Sequence, residues 1–252
     1  MTSKNKMVQE KIRLIYIDDK FVEEIAKTIK NELVSMCWGK EEKDLFDYKS
    51  TITSFLDRVK DRDSAFQVGF IGEFLVHCYF RTFINYKNLS VFFNNQDESN
   101  KHGFDYMFYD NKKRLWYVEV KSGAIDDSNL INKLNKEKLQ EAYRDCKKKF
   151  IFKNNLNLWN VAKSEVGRVI SKKSSLRSKV KAILEADAIG KIDNVVLSSV
   201  IFNDSMVKVS NKDELNSLKE QYKSDFENIT FLCFRKRTVE RIINLIKGEL
   251  CE

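Results

Sequence analysis

Apolar positions recur along this chain with two periods, and the change from one to the other marks its elements. Over residues 21–33 and 51–59 they return every three or four positions, the spacing that gathers side chains on one helix face. Residues 68–80 are almost continuously apolar and longer than an ordinary strand, which predicts a buried helix. Beyond it the pattern shortens. Residues 104–109 and 115–121 are brief, aromatic and β-branched, with the turn formers Asp110 and Asn111 followed by Lys112 and Lys113 between them, so they predict a β-hairpin. Helical composition resumes over 130–149 and 176–188. Uncharged runs at 195–202 and 229–234 predict buried strands, separated by a polar helix over 212–223 and followed by an amphipathic helix over 238–250. This alternation implies an α/β fold, a mixed sheet flanked by helices, with residues 1–65 as a helical N-terminal extension.

Charge on the hairpin is what turns the pattern toward chemistry. Successive side chains of a strand point to opposite faces, so Glu119 and Lys121 emerge together while Val118 and Val120 occupy the other side. Facing residues of an antiparallel pair share a side and their numbers add to a constant. An odd-length loop centred near Lys112 therefore sets Asp105 opposite Glu119, whereas a two-residue loop faces it with Val118 unless a bulge intervenes. Two carboxylates and a lysine on one face suit phosphodiester hydrolysis, in which Mg²⁺ or Mn²⁺ is held by one or two carboxylates plus the substrate phosphate. Asp105 and Glu119 are the candidate metal ligands. Lys121 either orients or helps deprotonate the attacking water, or offsets charge on the phosphate. A further carboxylate, Glu73, lies in the apolar helix over 68–80, where burial without a partner is costly; Gly72 before it permits close approach of a neighbouring backbone or ligand.

The order Glu73, Asp105, Glu119, Lys121 resembles the PD-(D/E)xK nuclease superfamily, which places an Asp on one strand and Glu-x-Lys on the next, with an acidic residue on a preceding helix. The resemblance covers roughly residues 69–123. Among its branches the chain looks like the nuclease subunit (HamA-like) of the two-component Hachiman antiphage defence system, whose partner is a helicase. That resemblance implies a restriction-endonuclease-like domain over 66–252, a metal-dependent endodeoxyribonuclease activity with Asp105, Glu119, Lys121 and Glu73 as its catalytic residues, and a helicase that gates it. The bland readings are an exposed cross-strand ion pair for Glu119 and Lys121, an outward-pointing Glu73, a packed helix residue for His77 and a polar loop for His102. Gln140 and Tyr143 resemble the Gln-Tyr motif of one nuclease branch at the wrong spacing, and no catalytic role is assigned to them.

Composition narrows the picture without changing it. The 252 residues suffice for a substantial core, and no run approaches the roughly 20 uncharged apolar residues that span a bilayer. The N-terminus enters charged sequence without an h-region, so a cytoplasmic protein is expected, with no membrane association. Five scattered cysteines without a C-x-x-C pair make a disulfide framework or a zinc knuckle improbable, and the absence of proline removes the usual linker markers. The formal net charge of +8 is concentrated: from Arg144 to Lys181 only Asp145 and Glu165 oppose a dense run of lysines and arginines. This tract, within a basic helical insertion near 144–190, predicts phosphate contacts with nucleic acid, DNA or RNA, above all from Lys147, Lys148, Lys149, Lys172, Lys173 and Arg177. Phe150, Phe152 and Trp159, interleaved with it, suit a core more than base stacking. A solvated helix face is the plain alternative for the charges. The competing class for the whole chain is a non-catalytic nucleic-acid-binding or assembly subunit that keeps the nuclease fold.

Overall fold

In the computed structural model the chain folds around one six-stranded sheet, ordered β1-β6-β5-β4-β3-β2. The structure describes residues 12–40, 45–93, 103–151, 156–203, 212–235 and 239–248; His102 and Phe152 lie outside them. The strands are β1 (Ile12–Tyr16), β2 (Lys87–Asn88), β3 (Tyr106–Tyr109), β4 (Leu115–Ala124), β5 (Asn194–Phe202) and β6 (Asn228–Arg235). Strands β4, β5, β6 and β1 run parallel to one another, while β3 is antiparallel to β4 and β2 to β3. The parallel strands need crossovers, which helices supply. Helices α4 (Ile131–Ile151), α5 (Leu156–Val169) and α6 (Ser175–Asp187) connect β4 to β5, and α7 (Lys212–Tyr222) connects β5 to β6.

Each face of the sheet carries its own core. Beneath α1 (Asp19–Trp38), α2 (Tyr48–Val59), α3 (Ser64–Phe83) and α8 (Val239–Gly248), residues such as Phe55, Phe74 and Ile242 pack on Val118, Val120, Val200 and Phe234 of the sheet. On the other face, Leu139 of α4, Val166 of α5, Leu184 of α6 and Leu218 of α7 cover Tyr117, Leu197 and Phe231. The alternation along β4 thus assigns odd residues to the α4 layer and even residues to the α3 layer. Strands covered on both sides read as near-continuous apolar runs, which is why β5 and β6 stand out in the sequence. The first three helices start at aspartates that cap them: Asp18, Asp47 and Asp63 accept from the backbone N–H of Phe21, Ser50 and Phe66.

The expected helices and strands form near their predicted bounds, with three additions. The segment expected to be a helical extension contributes α1 and α2 and also β1, which joins the edge of the sheet beside β6. Its five residues are half-buried, one face to each layer, so no apolar alternation announces it. Strand β2 is only two residues long. Helix α5 is hidden in the basic tract, because Leu158, Ala162, Val166 and Val169 form its buried stripe between charged neighbours. The apolar face of α8 is spent on the chain's own α2 and α3, with Ile242 and Ile246 fully buried.

Candidate active site on strands β3 and β4

The hairpin has the register that joins its carboxylates. Tyr106 faces Val118 and Tyr109 faces Leu115, leaving a five-residue loop centred on Lys112, the odd length that pairs the two acids. Asp110 holds this loop. Its buried carboxylate accepts from the backbone N–H of Lys112 and Arg114 at 2.9 Å, from Arg114 Nε at 2.8 Å and from Trp116 Nε1 at 2.9 Å. Lys113 takes a left-handed conformation with φ 63°, and the chain returns into β4.

Continuing the register by one residue puts Asp105 opposite Glu119. Asp105 Oδ2 accepts from the backbone N–H of Val120 at 2.7 Å, which ties the carboxylate to β4 past the last ladder pair. Its backbone carbonyl meets His77 Nε2 at 3.0 Å. A carbonyl only accepts, so Nε2 carries the proton. His77 is buried on α3 with its ring edge-on to Phe92 and Tyr106, and it is therefore a packed positioning residue, as its apolar setting in the sequence implies.

On the α4 side of β4, the carboxylates meet two ammonium groups. Lys149 Nζ lies 2.5 Å from Glu119 Oε2 and 3.7 Å from Asp105 Oδ1, so one charge bridges both acids. Lys121 Nζ lies 3.4 Å from Glu119 Oε1 and 2.8 Å from Asp145 Oδ2. Glu119 and Asp105 are 2% and 7% exposed, which decides how strongly these charges are felt. Burial pushes the Glu119 carboxyl up and the Asp105 charge adds to it, against the pull of Lys149 and Lys121. For the two lysines burial works downward but is outweighed, by Glu119 and Asp105 at Lys149 and by Glu119 and Asp145 at Lys121, so both ammonium groups are raised and stay charged. The thiol of Cys146, buried on the same helix face, is pushed well up by that burial.

The structure therefore brings Asp105, Glu119 and Lys121 together. Glu73 lies half-buried on α3, in the layer on the opposite face of the sheet, next to Gly72, where an added Cβ would overlap Ser122 Oγ of β4. Two further members of the cluster, Asp145 and Lys149, do not follow from the strand pattern. Their signal lies on a helix: they are four apart on α4, flanking the stripe of Leu139, Ala142 and Cys146 that is buried against the sheet. Lys149, expected to contact phosphate, turns its charge to the acids instead. Lys147 pairs with Asp225 at 2.9 Å, and exposed Lys148 lies 3.8 Å from Asp145. Tyr143 bonds Asp225 and stacks on Tyr222 with ring centroids 3.6 Å apart. Trp159 and Phe150 both pack on Phe104, the residue before Asp105, and so serve the core.

Whether a divalent ion suits this site can be judged from the donors. Among the described residues no group of three or more His, Cys, Asp or Glu side chains converges on a metal position. Asp105 and Glu119 are a pair of oxygen donors, and two carboxylates plus substrate phosphate is the set that Mg²⁺ takes. A cation between them is already required, and Lys149 supplies it. The donors fit the ion.

A family model described as HamA matches residues 3–250 of the chain. No curated protein matches it.

Proposed function

The chain belongs to the HamA family, the Hachiman component its sequence resembles, and on that premise we propose that it is the metal-dependent nuclease of such a defence system, cutting DNA with a PD-(D/E)xK site. The observation that carries this reading is the buried juxtaposition of Asp105 and Glu119 across one ammonium group, with Lys121 beside them. Asp105 and Glu119 would hold Mg²⁺ or Mn²⁺, and a bound ion supplies an acidified water and charge neutralisation on the phosphate. The chain's own groups do the remaining work. Val120 N–H and the His77 contact fix Asp105 in place. Asp145 draws Lys121 away from a simple pair with Glu119, holding its ammonium over the α4 side of the sheet, where it can orient a water or meet a phosphate oxygen.

The test is incubation of the purified chain with supercoiled plasmid, linear duplex, single strands and RNA, with and without Mg²⁺ or Mn²⁺. Metal-dependent cutting of DNA is expected. Glu119→Gln, Asp105→Asn and Lys121→Ala should each abolish it while the proteins remain folded, and wild-type rates in those variants would remove the site assignment. A second reading has an observation of its own. Lys121 and Lys149 nearly neutralise Asp105, Glu119 and Asp145, so the cluster is satisfied without metal, as suits a binding or assembly subunit that keeps the fold. No cutting of any substrate, together with no binding of Mn²⁺, would favour it.

A further inference from the structure

Two sets of charges in the basic tract meet different surroundings in the folded chain. Lys147, Lys148 and Lys149 face acidic groups, whereas a second set lines a cleft of about 550 Å³ between α5 and α6. Lys163 and Arg168 come from α5, Lys172 from the turn, and Arg177 and Lys181 from α6. Among the described residues no acidic side chain lines it. Lys163 pairs with Glu185 at 3.0 Å from outside the cleft, but Lys172, Arg177 and Lys181 form no ion pair with a described residue. Arg177 is placed by neutral groups. Its Nη1 donates to the Ile170 carbonyl at 3.3 Å, and its Nη2 occupies the space beside Gly167, where an added Cβ would come within 2.8 Å. Gly167 thus makes room for the guanidinium, and the bond to a carbonyl orients it without cancelling its charge.

We propose that this cleft seats consecutive phosphates of a nucleic-acid strand. Lys172 on the turn and Arg177 and Lys181 on α6, without an ion pair to a described residue, face the neutral donors of α5 and call for a ligand with repeated negative charge. Arg177 and Lys181 are one helical turn apart, and so are the neutral donors Asn160 and Ser164 on the opposite wall, which gives two ladders of contacts along the groove. Among the described residues the lining is polar and carries no aromatic side chain to read a base, so binding is to the backbone and independent of sequence. Helix α5 also links the cleft to the carboxylates. Its first turn packs Trp159 on Phe104, with ring centroids 5.5 Å apart, and Val161 lies against Gly103. From Trp159 to Gly167 the helix rises only about 12 Å, so the cleft lies within a few nucleotides' reach of Asp105. The inference rests on the proposed nuclease function only in where that strand leads.

Binding of fluorescein-labelled single-stranded and duplex DNA, followed by anisotropy in EDTA so that nothing is cut, tests it. The probe variant is Lys172→Ala with Lys181→Ala; the control is Lys20→Ala with Lys49→Ala, an equal loss of charge on exposed positions of other helices. The cleft pair should bind duplex at least tenfold more weakly, with the double-logarithmic salt slope reduced by roughly 0.9 for each phosphate no longer neutralised. The control should change neither. Equal effects of the two pairs, or an unchanged slope in the cleft pair, overturn the proposal, as does poly-glutamate competing as well as DNA at matched charge. Because the assay contains no metal, a chain that binds through the cleft yet never cuts leaves this inference standing and refutes the nuclease function alone.

Discussion

Lys149 holds its charge between two carboxylates that the proposed metal ion would also need, so ammonium and ion would compete for Glu119. A charge-assisted contact of this kind is worth about 1.5–3 kcal/mol. Lys149→Met should therefore raise Mn²⁺ affinity, measured by calorimetry without nucleic acid, by on the order of tenfold. A fall in affinity would mean that Lys149 supports the ion rather than excluding it. Gly72 shows a different residue-scale constraint. An added Cβ would overlap Ser122 Oγ and lie 2.8 Å from its Cβ, so α3 touches β4 with no space for a side chain. Gly72→Ala should cost roughly 1–3 kcal/mol of stability through overpacking, and Ser122→Gly in the same chain should restore most of it in urea unfolding. Close approach at this glycine is legible from its place in an apolar helix. That Ser122 is its neighbour is not, because the pair joins two elements far apart in the chain.

The hairpin is the most legible element because its register is local. Alternation assigns the faces, loop parity aligns Asp105 with Glu119, and both can be counted along the chain. Asp110 is what makes the loop keep its length. Burial alone would raise its carboxyl, but bonds from Arg114 and Trp116 outweigh that and hold it below its ordinary value of 3.8. A carboxylate depressed in the folded state stabilises fully above its unfolded value and loses that contribution as pH falls through the folded one. Asp110→Asn should thus destabilise the protein at pH 7, and the gap to wild type should close below about pH 4. Urea midpoints at pH 7 and pH 3 check this; a gap that stays constant would show that hydrogen bonds, and not the charge, hold the loop. Strand β1 and the α4 contribution are illegible for the opposite reason. Each depends on docking: β1 has no one-sided pattern, and Asp145 and Lys149 join the site only through the phase with which α4 lies on β4.

At the scale of the molecule, the two layers have unequal duties. The α3 layer, with α8 folded onto it, is a continuous apolar core that anchors β4 through Val118 and Val120, and it spends the apolar face of α8 that a partner could otherwise have used. The α4 layer faces the carboxylates, and the last turns of α4 carry the side chains that cover them. Access of an ion to Asp105 and Glu119 then depends on whether Lys149 can leave, which is a property of that end of α4. A partner that pins or frees those turns would control cleavage without touching the strands, and the helicase that the resemblance to a two-component system implies is the candidate for that partner. In its native pairing, the complex is expected to cut little until DNA ends or ATP are supplied, and amide exchange over residues 145–151 should speed up when it does. Equal cleavage by the chain alone and by the complex, with unchanged exchange in α4, would show that the chain is not gated there.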